Sequence, residues 1–170
     1  EAEGYSIEEI VSFLKWRREI RDLYVAQTGR THLDENDLAL IGSYAEELFN
    51  RWSIIDYLKA HDPAQLDAFE AELFQATGFT SAQLIDTDKQ EMMMAIQLGT
   101  VIFNEYRDYG LAINFIDAVT LGRTAYISGH DSDDIVRWFD NAWLIRRSIE
   151  EIRGTLNEEV LLNILFTSKA

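Results

Sequence analysis

The chain contains no cysteine and only one proline. Without cysteine, disulfide frameworks, thiolate metal sites and cysteine nucleophiles are excluded. This absence does not fix the compartment, since cytosol and periplasm both hold cysteine-free proteins. A cytoplasmic location is the one we favour. A single proline and nine glycines also leave little room for long loops, so we expect short connections between regular elements.

Basic residues are scarce, with 15 lysines and arginines against 30 aspartates and glutamates and a net charge of −15. Binding to phosphate groups depends on basic surface, so we expect no direct contact with nucleic acid. The imbalance is concentrated in residues 31–90, which hold twelve acids and three bases, whereas residues 1–30 are nearly balanced. A basic protein is the partner class that this charge favours.

Long hydrophobic runs are also missing. The longest uncharged apolar stretch, residues 92–104, is shorter than the roughly 20 residues that cross a bilayer, and Glu105 follows it directly. We therefore predict no membrane span. A segment that is apolar on every side is typical of an enclosed helix. We predict a central hydrophobic helix over residues 88–121, with a break or kink near Gly110 and a close helix crossing or a break at Gly99.

The remaining segments show one apolar stripe each, at the three-and-four spacing of a helical face. Polar residues that cap helices mark where these segments begin. These starting points are Ser6 with Glu9, Asp34, Asp62 with Pro63, Thr80 with Ser81, Thr87 with Gln90 for the central helix, and Thr155 with Glu158. The longest predicted loop covers residues 123–134. We predict an all-α, single-domain bundle of about six or seven helices spanning residues 1–170.

The sequence contains no recognisable metal-binding or catalytic motif. Carboxylate-bridged metal sites in bundles use Glu-x-x-His pairs, and none of the three histidines follows a glutamate at that spacing. Asp131, Asp133 and Asp134 have the density of a calcium loop, but Val136 and Ala142 occupy its sixth and twelfth positions. We interpret these aspartates as acids at a helix N-terminus. No cofactor, metal ion or catalytic residue is predicted, and enzymatic activity is disfavoured.

The function we favour is a noncatalytic interaction protein, such as an inhibitor, an immunity-type protein or a regulatory module, that binds a basic protein. Its acidic face would be formed by residues 34–72. The residues assigned to partner binding are Asp34, Glu35, Asp37, Glu46, Glu47, Asp56, Asp67, Glu70 and Glu72.

The alternative function is a small-molecule sensor or carrier with a pocket inside the bundle. Carboxylates within apolar sequence are costly to bury without partners, and they indicate either a structural ion pair or a ligand site. The residues assigned to this pocket are Glu105, Tyr106, Tyr109, Asn114 and Asp117. An enzyme that uses Glu105 and Asp117 as acid and base ranks last. A homo-oligomer is a further alternative, because the chain also carries basic patches whose charge is complementary to the acidic middle of another copy. These patches are formed by Arg17, Arg18, Arg21, Arg146 and Arg147.

Overall fold

The computed structural model describes the backbone of residues 4–153 and the side chains of residues 4–148, and within these ranges it contains helices and no strand. The six helices are Ile7–Thr28 (α1), Glu35–His61 (α2), Pro63–Thr77 (α3), Ser81–Asp108 (α4), Phe115–Ile127 (α5) and Ser132–Arg153 (α6). The prediction of an all-α bundle is confirmed. The last predicted helix, opened by Thr155, lies outside the described residues.

Local sequence explains the ends of the first three helices. Ser6 and Glu9 form the predicted capping box of α1, in which each side chain accepts from the other residue's backbone N–H. Asp34 caps α2, and Asp62 caps α3 with Pro63 at its first position. A left-handed glycine follows both α1 and α3, at φ near 70° and 78°, a conformation that glycine adopts without strain.

Helix α4 begins earlier than predicted. The capping pair is Thr80 with Gln83, whose side chain and backbone N–H groups bond reciprocally at 2.9 and 3.2 Å. The predicted start at Thr87 is wrong, because its hydroxyl donates back to the Gln83 carbonyl at 2.9 Å inside a continuous helix. The predicted break is confirmed, since α4 ends at Asp108 and Gly110 adopts a positive φ of 73°.

The predicted loop over residues 123–134 is wrong at both ends, because α5 continues to Ile127 and α6 begins at Ser132. Gly122 does not end a helix; it allows one helix to touch another. A Cβ atom on Gly122 would lie 2.4 Å from the Gly99 backbone nitrogen, and one on Gly99 would lie 2.5 Å from the Val119 Cα. Gly99 therefore marks a close crossing of α4 and α5. This is one of the two roles predicted for it.

The chain divides after Met93 into two compact units. The first contains α1, α2, α3 and the start of α4, and its buried side chains include Trp16, Ile20 and Tyr24 of α1 and a row along α2 from Leu40 to Trp52. The prediction of a single domain stays a prediction.

The second unit has its own hydrophobic cluster, formed by α4, α5 and α6. Its members are Leu98, Ile102, Tyr106, Ala118, Ala125, Ile135, Trp138, Phe139 and Ala142. Along the uncharged stretch of residues 92–104, every residue except Gln97 is buried or half-buried. The prediction that this segment is an enclosed helix is confirmed.

Candidate functional site

Helix α3 is the least buried helix of the first unit. It packs against α2, yet none of its residues is buried. The apolar stripe of α3, formed by Leu66, Phe69 and Leu73, is half-buried. Phe74 is 55% exposed, and Phe79, just beyond the helix, is 53% exposed. Two large aromatic rings therefore face solvent at the end of this helix.

The charge of the same region has one sign. Residues 60–88 contain six acids and no lysine or arginine. Within α3, Asp67 and Phe74 are seven residues apart, which places them on the same side of the helix two turns apart. Glu72 is also exposed. Asp67 and Phe74 thus share one side of α3, whereas Glu72 projects about 140° further round the helix axis. We call the exposed acidic and aromatic side chains of α3 and its C-terminal end the α3 surface: Asp67, Glu72, Phe74 and Phe79.

Asp37, one of the predicted partner-binding acids, is instead part of the core. Its side chain is 2% exposed and accepts hydrogen bonds from the Tyr24 hydroxyl, from Arg30 Nη2 at 2.8 Å and from the Asp34 backbone N–H at 2.9 Å. Burial alone would raise the pKa of the Asp37 carboxyl, but these hydrogen bonds and the Arg30 charge outweigh it and lower that pKa. Burial and Asp37 together raise the pKa of the Tyr24 hydroxyl.

Four other predicted acids are also engaged within the fold. Asp34 caps α2 and lies 3.3 Å from Arg30. The remaining three contacts are Glu47 with Arg51, Asp56 with Ser12 and Lys15, and Glu70 with Ser81. Of the nine acids predicted for the partner-binding face, Glu35, Glu46, Asp67 and Glu72 are exposed and make no such contact with the residues that the structure describes. The structure thus separates acids that stabilise helices from acids that face outward.

A groove of about 570 Å³ runs between α1 and α2. Its walls are mainly apolar and include Ile7 and Val11 of α1 and Ile54 and Tyr57 of α2, all of which are more than two-fifths exposed. On its floor, Ser12 Oγ donates to Asp56 Oδ2 at 2.9 Å. At one end His61 Nε2 lies 3.2 Å from Glu8 Oε1. The groove combines exposed hydrophobic side chains with a charged margin.

The five residues assigned to a small-molecule pocket lie in the second unit and have varied surroundings. Tyr106 is buried and packs edge to face on Phe139. Asn114 caps α5 by accepting from the Ile116 backbone N–H at 2.8 Å. Asp117 is exposed in the first turn of α5. The helix turns this carboxylate outward, so the apolar residues around it in sequence do not enclose it.

The other two residues of that set, Glu105 and Tyr109, interact with Asp140 of α6. The Tyr109 hydroxyl donates to the Asp140 carboxylate, which together with burial raises the pKa of Tyr109 to about 12. Burial, followed by the negative charges of Asp140 and Asp108, raises the pKa of Glu105. The Tyr109 ring also stacks on Trp143, with ring centroids 5.3 Å apart. This corner of α4 and α6 is therefore acidic and aromatic.

Two features of the surface were missed from the sequence. Phe74 lies off the Leu66, Phe69, Leu73 stripe, and that offset was a readable sign that it would be exposed. On α1, Ile7, Val11 and Leu14 repeat at the same three-and-four spacing as the buried stripe, on the opposite side of the helix. Counting both stripes would have predicted a helix with two apolar faces.

The acids at the start of α6 act as predicted for helix N-terminal residues. The Asp134 backbone N–H donates to Asp131 Oδ1 at 2.9 Å, and the Asp131 backbone N–H donates to Asp134 Oδ2 at 3.1 Å. In the part of the chain that the structure describes, no group of three or more histidine, aspartate or glutamate side chains is placed to hold a metal ion. Across those same residues, no helix combines the length and hydrophobicity needed to cross a membrane.

Comparison with protein-family models, with curated proteins and with solved structures finds no match to this chain.

Proposed function

We propose that the protein is a noncatalytic interaction module that binds a basic protein partner through the α3 surface. The observation that carries this proposal is a combination at α3: the helix has no buried residue and no basic residue, and two aromatic rings, one on the helix and one just beyond it, are more than half exposed. An acidic cluster alone would serve solubility equally well. Exposed aromatic rings do not serve solubility, and they are typical anchors of protein interfaces.

The two kinds of side chain contribute differently to binding. Acids at the margin attract a basic partner over long range and set the association rate and its salt dependence. The rings of Phe74 and Phe79 supply apolar area, and covering the exposed half of one ring contributes about 1 kcal/mol. We therefore expect a partner site with basic residues around an apolar pocket, which is the complement of the α3 surface.

Charge reversal on α3 tests the proposal. The probe is a helical peptide with one lysine face and one leucine face, and its affinity for the full chain is measured by fluorescence anisotropy at low and high salt. Reversing both acids with Asp67→Lys and Glu72→Lys should weaken binding at least about tenfold at low salt, with a smaller difference at high salt, where the charges are screened.

The matched control makes the same change in net charge elsewhere. Asp108→Lys and Asp133→Lys alter two exposed acids of the second unit, so a general effect of net charge would weaken binding equally in both double variants. Equal weakening, or no weakening in the α3 variant, would contradict the proposal. Thermal unfolding of each variant verifies that the fold is retained.

We do not extend the proposal to small-molecule binding at the Glu105 set. Asn114 is used as a helix cap, Asp117 faces solvent, and Tyr109 donates to Asp140. These surroundings account for the positions of Asn114, Asp117 and Tyr109 without a bound ligand.

A further inference from the structure

Helix α1 has two apolar faces, of which the fold uses one. Trp16, Ile20 and Tyr24 are at most 2% exposed. On the opposite side, Ile7, Val11 and Leu14 are 74%, 60% and 52% exposed. Single exposed hydrophobic residues are common, but an exposed stripe over successive turns is typical of a helix that packs against another helix.

The exposed stripe borders the groove between α1 and α2. Ile54 and Tyr57 of α2, which are 42% and 54% exposed, form the opposite wall. Two antiparallel helices with a groove between them are half of a four-helix bundle, and the groove is the position that a further helix fills. The shape therefore indicates a helical occupant.

Charge identifies which helix fits. The chain has a net charge of −15, but residues 1–30 hold six acids and five bases. Two copies that meet through α1 would bring together nearly neutral segments, with little mutual repulsion. A contact between copies through residues 31–90 without α1 would instead bring together two segments that each hold twelve acids and only three bases.

The charges beside the stripe also fix the orientation of the two copies. Glu8 and Lys15 are seven residues apart, so they lie on the same edge of α1, on either side of Val11. Their side chains are 60% and 45% exposed. When two α1 helices pack antiparallel about a two-fold axis near Val11, Glu8 of each copy faces Lys15 of the other. A parallel arrangement would place like charges together.

We propose that the α1 stripe and the α1–α2 groove form an interface between two copies of this chain, related by a two-fold axis with their α1 helices antiparallel. The interface is isologous, so every contact occurs twice. This surface is separate from the α3 surface, and the inference does not depend on the proposed function.

The first test is the oligomeric state of the full chain, measured by sedimentation velocity over a range of concentrations. The wild-type protein should approach twice the chain mass as concentration rises. Val11→Glu places a charge in the middle of the stripe and should raise the dimer dissociation constant at least about thirtyfold. Ala26→Glu is the control, since it adds the same charge to an exposed site of α1 about four turns away and should leave dimerisation unchanged.

The second test exploits the reciprocal pairing. Glu8→Lys alone places two lysines opposite each other at both contacts, and Lys15→Glu alone places two glutamates opposite each other, so each variant should be largely monomeric. An equimolar mixture of the two variants restores opposite charges at both contacts and should dimerise. Far-UV circular dichroism of each variant verifies folding, because Lys15→Glu also removes the pair with Asp56 and Glu8→Lys removes the contact with His61.

A wild-type protein that stays monomeric at every concentration would overturn the proposal and leave the groove to a different occupant. Dimers that persist in Val11→Glu, or a mixture that associates no better than its components, would also overturn it, because the interface would then lie elsewhere. Heterodimers formed only in the mixture support both the surface and the antiparallel arrangement.

Discussion

Asp37 of α2 and Asp67 of α3 belong to the same acidic stretch of sequence, but they act differently. Asp37 is 2% exposed and accepts hydrogen bonds from Tyr24, Arg30 and the backbone of Asp34. Asp67 is exposed on a helix without a buried residue. The first carboxylate stabilises the fold, while the second contributes its charge to the surface. Negative charge in this stretch therefore has two roles, and only the exposed part is available to a partner.

Among the variants that test this difference, Asp37→Ala should cause the largest loss of stability. Asp37→Ala removes the acceptor for the buried Tyr24 hydroxyl and leaves Arg30 without its closest carboxylate. Such losses typically cost about 3 kcal/mol, which corresponds to a fall in melting temperature of roughly 6–12 °C for a chain of this size. Glu46→Ala, an exposed acid on the same helix, is the control and should change stability by less than about 0.5 kcal/mol.

The stabilisation by Asp37 should also depend on pH. Because the folded state lowers the pKa of this carboxyl below its ordinary 3.8, the stabilisation is present above pH 3.8 and is lost as pH falls through the folded value. Urea denaturation should therefore show a wild-type advantage over Asp37→Ala at neutral pH that shrinks below pH 3.8. An advantage that grows on acidification would show that the carboxylate is not held by these hydrogen bonds.

A smaller effect is expected at Glu70, the acid of α3 that contacts the next helix. Its carboxylate accepts from the Ser81 backbone N–H at 3.2 Å and from the Ser81 hydroxyl, so it stabilises the start of α4. Glu70→Ala should lower the free energy of unfolding by about 1 kcal/mol, as the loss of a helix cap does. Glu72→Ala, two residues along, should have no comparable effect. Equal stability of the two variants would remove the distinction between structural and outward-facing acids within α3.

The helical architecture was predictable because local signals agree with one another. The Ser6–Glu9 box, the Asp62-Pro63 start and the uncharged segment 92–104 each act through neighbours in sequence, and each lies where predicted. The break at Gly110 followed from polar residues between two apolar halves. The predicted start of α4 was wrong because the sequence contains two similar capping signals, at Thr80 and at Thr87.

The candidate site was less predictable, because burial depends on residues distant in sequence. Nothing near Asp37 in sequence shows that Tyr24, thirteen residues earlier, donates to its carboxylate. Nothing near Gly122 in sequence shows that the backbone of Gly99 packs against it. The charge count over residues 31–90 combined structural and outward-facing acids, and only the packing of α1, α2 and α4 separates them.

The most direct test of the α3 surface measures binding and stability in the same variant. Asp67→Ala combined with Phe74→Ala removes a charge and a ring from one side of α3. The account predicts an affinity for the lysine–leucine peptide reduced at least about tenfold, with a free energy of unfolding within about 1 kcal/mol of the wild-type value. Unchanged affinity in a variant of unchanged stability would contradict the assignment of this surface to partner binding.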